Sequence, residues 1–181
     1  MKKMHLHQPH RRHVVLDVET TGLSPRQGHR VIEIGAVAIE DGKIIEEFHT
    51  LVNPGKRISL FVQEINGITN EMLRGKPTPE EVMPTFKKFI GESILVAHNA
   101  PFDMSFIANE FDLAGIEHAS DWVCTLQISR ALFPGLRSHK LEKVCMHVLG
   151  DISGVPLHRA LADARLTARL WLEMAKKLPK D

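Results

Sequence analysis

The chain has 181 residues, of which 43% are hydrophobic, enough for one domain with a packed core. Its 23 Lys and Arg and 22 Asp and Glu give a formal net charge of +1, which argues against a protein that coats long stretches of duplex but not against one that grips a strand end. No apolar run is long enough to span a membrane and no signal-peptide pattern is present, so membrane contact is not expected, and Cys124 and Cys145 are most simply reduced thiols of a cytoplasmic protein.

Residues 1–12 form a basic segment with little apolar content. We expect a flexible tail outside the fold, and contact with a phosphate backbone is the weaker alternative. The remaining residues, 13–178, are expected to form a single domain.

Residues 14–23 begin as a buried strand, in which side chains alternate between two faces. Asp17 and Glu19 share one of these faces. Two neighbouring carboxylates in an apolar strand are costly to bury unless a hard divalent cation such as Mg²⁺ or Mn²⁺ lies between them. A solvated edge strand is the alternative explanation. The turn that follows offers hydroxyl and backbone N–H groups that suit a phosphate or a sugar, from Thr20, Thr21 and Gly22.

Two further strands follow the acidic strand. Residues 30–40 are rich in Val and Ile, residues 43–52 continue as an apolar-patterned strand, and Asp41-Gly42 between them is a strong hairpin signal. The first three strands are therefore predicted to be antiparallel. Glu33 is expected to be structural or exposed rather than part of a site.

Helical signals dominate the middle of the chain. Residues 58–72 are predicted to contain a short helix that ends near Asn66 and a second turn that Thr69 caps. Pro79–Ile90 is predicted as a helix, with Pro84 limiting its regularity.

An apolar run at Ile94–Ala97 suits a central, parallel strand. A helix is predicted immediately afterwards, with Pro101 at the first helical position and residues 102–113 continuing it. Asp103 then lies in the first turn beyond a strand's carboxyl end, where ligands of open α/β sheets tend to bind. The alternative is an acidic residue that complements the helix dipole.

Three helices are predicted in the last third of the chain. Residues 125–133 follow a short strand at Trp122, and Ser138 is expected to cap a helix whose apolar stripe spans residues 141–149. The last helix is expected to span about residues 158–178.

His158 and Asp163 lie close together in the sequence near the start of this last helix. Their separation corresponds to roughly 140° of rotation on a regular helix. If both serve one site, His158 must lie on the loop or first turn while Asp163 points from the helix wall. Considered alone, each is more simply an exposed residue.

Three motifs occur in a fixed order along the chain: Asp17-x-Glu19, His98-Asn99-x-x-x-Asp103 and His158-x-Ala160-x-x-Asp163. Together they resemble the three exonuclease motifs of the DEDD superfamily, in the subgroup with a histidine in the third motif. The phrases DVETTGL, IEIGA and AHNAPFD look like the DnaQ branch, which includes the epsilon proofreading subunit of bacterial DNA polymerase III and the exonuclease region of PolC. The resemblance covers about residues 13–175.

The resemblance implies an α/β fold of the RNase H-like type, with a mixed five-stranded central sheet, its first three strands antiparallel, flanked by helices. It also implies 3′→5′ exonuclease chemistry with two Mg²⁺ or Mn²⁺ ions per active site, releasing nucleoside 5′-monophosphates. Asp17 would bridge both ions, with Glu19 and Asp163 on the first. Asp103 would support the second ion, and His158 would be the general base.

The resemblance further implies contacts to the terminal nucleotide. Leu23 would wedge against its base, while the backbone at Thr20 would bind it. Many relatives have histidine where this chain has Asn66, so that position departs from the family's pattern. The full set of implied substrate contacts is Thr20, Thr21, Gly22, Leu23, Asn66, His98, Asn99 and Phe102.

The implied partner is the 3′ end of a nucleic acid strand, with single-stranded DNA favoured over RNA. Two alternatives stay open: an RNA 3′→5′ exonuclease of the same fold, and a catalytically silent module that clamps a polymerase. All five expected catalytic positions are filled, which disfavours the silent module. A free-standing exonuclease is expected, with a DNA polymerase as a candidate partner.

Overall fold

The computed structural model of the chain describes residues 11–155 and 158–178. Its strands are β1 (His13–Thr20), β2 (Val31–Glu40), β3 (Lys43–Leu51), β4 (Ile94–Ala97) and β5 (Trp122–Cys124). Its α-helices are α1 (Leu60–Asn66), α2 (Asn70–Leu73), α3 (Pro79–Ile90), α4 (Ala100–Leu113), α5 (Thr125–Leu132), α6 (Leu141–Leu149) and α7 (Ala160–Ala175). Each helix in these two ranges is too short or too polar to cross a membrane.

The five strands form one mixed sheet in the order β3-β2-β1-β4-β5. β1 pairs antiparallel with β2 and β2 antiparallel with β3, whereas β4 pairs parallel with β1 and β5 parallel with β4. Asp41 and Gly42 join β2 to β3 with φ angles of 47° and 74°, the conformation that a two-residue hairpin requires. The predicted mixed sheet with three antiparallel leading strands is confirmed.

Alternation along β1 divides the core into two layers. Leu16 packs with residues of α3 and α4 on one face of the sheet. Val15 packs on the other face, with residues of α6 and α7 that include the buried Trp171. Asp17 and Glu19 have the same parity as Val15, so β1 directs both carboxylates towards the face that α7 covers.

Three predicted helix starts differ from the structure. α4 begins at Ala100, one residue before the predicted Pro101. α6 begins at Leu141 with Lys140 as its N-cap residue, so the prediction that Ser138 caps this helix is wrong. α7 begins at Ala160 rather than at His158, because His158 has a left-handed φ of 62° that a right-handed helix cannot contain.

Arg12 belongs to the folded part of the chain. Its guanidinium lies 3.2 Å from Oε1 of Glu40 and 3.0 Å from Oε2 of Glu46, and it stacks over the ring of Phe89 at 5.2 Å. These contacts tie the start of β1 to β2, β3 and α3. The predicted basic tail therefore stops short of Arg12, and its first ten residues lie outside the described residues.

Candidate active site

Carboxylates from two elements meet at one end of β1. Asp17 and Glu19 come from β1 and Asp163 comes from the first turn of α7. One oxygen from each lies within 4.8 Å of those of the other two. Asp17 and Glu19 are half-buried and Asp163 is buried. The three acids that the sequence assigned to the first metal ion are therefore adjacent.

Asp103 reaches β1 from the first turn of α4. Its Oδ1 accepts a hydrogen bond from the backbone N–H of Val18 at 3.2 Å. Asp103 is buried, and its negative charge raises the pKa of Asp17. The fourth predicted ligand is thus fixed next to the acidic pair by a direct bond to the strand that carries it.

The pKa values of these acids are raised, because burial and mutual repulsion disfavour their charged forms. Burial raises the pKa of Asp17 well above its usual value, and the charges of its neighbours raise it further. Burial and then the charge of Asp163 raise the pKa of Glu19 to about 7. Burial raises the pKa of Asp103 to about 8, even though the Val18 N–H opposes the shift. A divalent cation would remove this penalty.

The two oxygens of Asp163 differ in a way that points to a cation. Oδ2 accepts the backbone N–H of His158 at 3.0 Å. Oδ1 is buried and has no hydrogen-bond partner among the described residues. A buried carboxylate oxygen is normally paired, and here it lies beside two further carboxylates. The donor set is all oxygen, so it fits Mg²⁺ or Mn²⁺.

His158 lies on the loop immediately before α7, as the spacing argument required. Its left-handed backbone turns the chain into the helix, and its residue surface is exposed. Burial raises the pKa of Asp163, whereas the backbone N–H and the charge of His158 oppose this rise, so the imidazole lies near Asp163 while the hydrogen bond to Asp163 comes from the backbone. The arrangement suits a side chain that exchanges protons with solvent or substrate.

Glu33 lies near the acidic cluster, where the sequence did not place it. It lies on β2 directly opposite Glu19 on β1 and is fully buried. Burial alone would raise its pKa, but hydrogen bonds from Arg159, His49 and the Ala160 N–H lower it below the usual value. Of the two expectations, structural or exposed, the structural one is correct. The available sequence signal was an acidic residue among apolar strand residues, but the sequence did not reveal which residues pair with it.

The turn after β1 is held by its own hydroxyls. Oγ1 of Thr20 donates to the carbonyl of Gly22 at 2.6 Å, and Oγ1 of Thr21 accepts the backbone N–H of Arg30 at 3.0 Å. A Cβ on Gly22 would lie 2.4 Å from the ring of His29, so a larger residue there would displace that ring. Leu23 is 84% exposed beyond this turn.

Asn66 is buried at the end of α1 and contacts the acidic cluster. Its side chain lies close enough to Glu19 to oppose the rise that burial causes in the pKa of Glu19. Its Oδ1 accepts the backbone N–H of Ile68 at 3.0 Å. The side chain predicted to contact substrate therefore also lies beside a predicted metal ligand.

Three predicted substrate contacts lie where β4 is followed by α4, and they differ in whether a ligand could reach them. Both ring nitrogens of His98 are engaged inside the protein, Nδ1 with Oγ1 of Thr125 at 2.9 Å and Nε2 with the carbonyl of His139 at 2.8 Å. Asn99 is exposed with a left-handed φ of 74°. Phe102 is half-buried. Asn99 and Phe102 are thus accessible to a ligand, whereas His98 ties the loop before α6 to β4.

Comparison with known proteins gives a consistent picture. The model of the exonuclease family RNase_T matches residues 14–171. The DNA polymerase III subunit epsilon of Aquifex aeolicus is 40% identical over 167 residues, covering 91% of this chain and 81% of that protein. The PolC-type DNA polymerase III of Thermotoga petrophila is 46% identical over 169 residues, covering 91% of this chain. The chain spans about 11–12% of the length of the PolC-type relatives it matches.

Solved structures share the fold over nearly the whole chain. Exonuclease X in complex with 5′ overhanging duplex DNA superimposes with a TM-score of 0.75 at 30% identity, covering 91% of this chain and 92% of that one. The nuclease domain of 3′hExo, a DEDDh family member bound to rAMP, superimposes with a TM-score of 0.79 at 20% identity and 93% coverage of each chain. The second likeness concerns the fold alone. The predicted RNase H-like α/β fold is confirmed.

Proposed function

The chain belongs to the RNase_T exonuclease family, and we propose that it removes nucleotides one at a time from the 3′ end of a strand by metal-dependent hydrolysis. The observation that carries this proposal is the cluster of Asp17, Glu19 and Asp163 oxygens within 4.8 Å beside the exposed His158. We assign the activity to one domain spanning residues 13–178.

Two divalent cations, Mg²⁺ or Mn²⁺, are proposed to occupy the acidic cluster. Glu19 and Asp163 would hold the first, Asp17 would bind both, and Asp103 would support the second. When bound, such a pair supplies charge stabilisation to the attacking and leaving oxygens of an in-line displacement. The raised pKa values of Glu19 and Asp103 support this assignment, because carboxylates held this close need a positive charge between them.

His158 is proposed as the general base. Its imidazole takes a proton from the attacking water while the water oxygen forms a bond to the terminal phosphorus. The bond from phosphorus to the 3′ oxygen of the preceding nucleotide breaks, and that oxygen takes a proton from solvent. The products are a nucleoside 5′-monophosphate and a strand shortened by one residue with a free 3′ hydroxyl.

Single-stranded DNA is the substrate we favour. The relatives are named DNA polymerase III subunit epsilon and DNA polymerase III PolC-type, and Exonuclease X was solved with 5′ overhanging duplex DNA. Leu23, exposed at the end of the turn after β1, is proposed to pack against the terminal base, with the backbone of Thr20 and the side chains of Asn99 and Phe102 around the nucleotide. An RNA substrate is the alternative, because discrimination between DNA and RNA depends on contacts to the 2′ position of the sugar.

A DNA polymerase is the proposed partner. This rests on the names of the relatives, DNA polymerase III PolC-type and DNA polymerase III subunit epsilon, and on no surface of this chain. The alternative of a catalytically silent clamp is disfavoured because the acids and the histidine of the predicted site lie together.

The test is degradation of 5′-labelled single-stranded DNA and RNA of matched sequence, with Mg²⁺, Mn²⁺ or EDTA. Wild type is compared with Asp17→Asn and with Asp112→Asn, a control that removes one exposed acid from α4. We expect a ladder that shortens from the 3′ end, requires metal, is lost in Asp17→Asn and is kept in Asp112→Asn. The faster substrate identifies the sugar. No shortening of either strand by wild type with either metal would refute the catalytic proposal.

A further inference from the structure

Glu33 is a fully buried carboxylate that the proposed chemistry does not use. We propose that Glu33 is a positioning residue, which fixes the first turn of α7 on β2 and thereby sets the places of His158 and Asp163. This inference deepens the exonuclease function proposed above and rests on it for the meaning of those places.

The contacts of Glu33 saturate both of its oxygens. Nη2 of Arg159 lies 2.7 Å from Oε1, and Nε of Arg159 lies 3.2 Å from both oxygens. Nε2 of His49 lies 2.7 Å from Oε1, and the backbone N–H of Ala160 donates to Oε2 at 3.0 Å. A carboxylate committed in this way is not available as a further metal ligand, although Glu19 faces it on the neighbouring strand.

α7 depends on these contacts because its own start offers no cap. Its N-cap residue is Arg159, which makes no side-chain capping bond. The first N–H groups of a helix have no partner within the helix, and a Ser, Thr, Asp or Asn side chain usually accepts one of them. Here Glu33 accepts the N–H of Ala160 from a different strand, so the cap also determines where the helix begins.

Gly35 lies two residues further along β2, at a second contact between this strand and the first turn of α7. A Cβ at Gly35 would lie 2.2 Å from the carbonyl carbon of Ala160 and from the backbone nitrogen of Leu161. The absence of a side chain therefore lets the helix backbone lie directly on the strand. Glu33 holds this close approach in place by charge and hydrogen bonding.

Both His158 and Asp163 lie within a few residues of the contact that Glu33 makes with α7. His158 precedes Arg159, and Asp163 lies in the turn that begins at Ala160. The His158 N–H joins the two by its bond to Asp163. A shift of this turn would move the proposed base and one proposed metal ligand together, relative to the acids on β1. Partners of this kind typically contribute about 10–100-fold to metal affinity or activity.

The chain offers a matched control at Glu110. It is also fully buried, lies 3.0 Å from Nε of Arg30 through both of its oxygens, and accepts the backbone N–H of Val31 at 3.0 Å. It joins α4 to the start of β2 and does not touch α7. Glu33 and Glu110 are thus the same kind of buried ion pair at two different places in the fold.

The experiment compares Glu33→Ala, Glu33→Gln, Glu110→Ala and Glu110→Gln with wild type. It measures the melting temperature, kcat and KM on single-stranded DNA, and Mn²⁺ affinity by calorimetry. We expect Glu33→Ala to lower kcat about 10–100-fold and Mn²⁺ affinity about 10-fold, with little change in KM. Glu33→Gln should recover part of both, since its amide oxygen still accepts the Ala160 N–H. Glu110→Ala should lower the melting temperature comparably and leave kcat and Mn²⁺ affinity near wild type.

Equal effects of the two Ala variants on kcat and Mn²⁺ affinity would overturn the inference, as would no effect of Glu33→Ala on either quantity. If Glu33→Ala does not fold, the comparison of Glu33→Gln with Glu110→Gln decides in the same way. Mn²⁺ affinity separates this inference from the proposed function: an inactive wild type would refute the function, while the metal measurement would still test the positioning.

Discussion

The backbone N–H of His158 donates a hydrogen bond to Oδ2 of Asp163 at 3.0 Å, across the junction between loop and helix. The bond belongs to the backbone of His158 and leaves its imidazole free. It also holds His158 in a left-handed conformation, with φ of 62°. A substitution can therefore remove the imidazole and keep the geometry around Asp163, provided that the new residue accepts this backbone.

His158→Asn is the substitution that satisfies this condition, because Asn tolerates the left-handed region better than Ala does. We expect kcat to fall about 10²–10⁴-fold, the usual loss for a general base. The increase in melting temperature on Mn²⁺ addition should be retained, since the carboxylates are untouched. Loss of the Mn²⁺ effect would mean that the ring itself supports the metal site, and unchanged kcat would exclude His158 as the base.

The metal-free protein should lose stability at the acidic cluster as pH rises. Burial raises the folded-state pKa of Glu19 to about 7 and of Asp103 to about 8, above their usual values of 4.5 and 3.8. Below the pKa values of the unfolded state, both carboxyl groups are protonated in the folded and in the unfolded protein, and their contribution to stability is fully present. It is lost as pH rises through the folded-state values, because the unfolded chain then releases protons more readily. Divalent metal competes with these protons, so its stabilising effect should grow over the same window.

The measurement is the melting temperature in EDTA and in Mn²⁺ between pH 5 and pH 8.5, for wild type and Asp17→Asn. Comparing the two proteins cancels the histidines, whose titration has its own pH dependence. In EDTA, Asp17→Asn should exceed wild type by a margin that grows with pH to about 3–6 °C, given roughly 2–4 °C per kcal/mol for a chain of this size. A margin that is constant or shrinks with pH would contradict the assignment of repulsion to this cluster.

The sequence was sufficient where a local rule applies. Strand alternation placed Asp17 and Glu19 on one face, and both lie on the face that α7 covers. The helical rotation between His158 and Asp163 required a position on the loop or in the first turn for His158, and the structure has it on the loop. α3 has the predicted bounds, because its N-terminal proline is a signal within the helix itself.

The sequence was insufficient where partners are distant. Glu33 and Arg159 are 126 residues apart, and no period in the sequence connects them. The bonds of His98 to Thr125 and His139 depend on how β4, α5 and the loop before α6 pack, so the sequence assigned His98 to substrate only through its motif. Ser138 was a reasonable cap by residue type, but the helix begins after Lys140.

Leu23 should affect substrate binding and not stability. It is 84% exposed, so Leu23→Ala removes little buried surface from the folded protein. If Leu23 packs against the terminal base, the variant should raise KM about fivefold, as expected for the loss of roughly 1 kcal/mol of apolar contact. Leu113→Ala is the control, since Leu113 is an exposed leucine at the end of α4. Equal KM values for the two variants would remove Leu23 from the substrate site.

Gly35 provides the last prediction, which concerns the contact between β2 and α7. Gly35→Ala would place a Cβ 2.2 Å from backbone atoms of Ala160 and Leu161, which cannot rotate away as a side chain could. The first turn of α7 must therefore move off the strand. We expect a loss of about 1–3 kcal/mol in the free energy of unfolding, typical of overpacking, together with lower kcat because His158 and Asp163 move with the turn.

Gly135→Ala is the matched control, because a Cβ there has open space around it and the backbone does not have a positive φ. Urea unfolding and single-turnover cleavage of the same oligonucleotide would be measured for both variants. Gly135→Ala should be neutral or slightly stabilising, since Ala restricts the unfolded chain more than Gly does. If Gly35→Ala loses stability but keeps wild-type kcat, the turn tolerates displacement and the placement of His158 and Asp163 does not depend on close packing against β2.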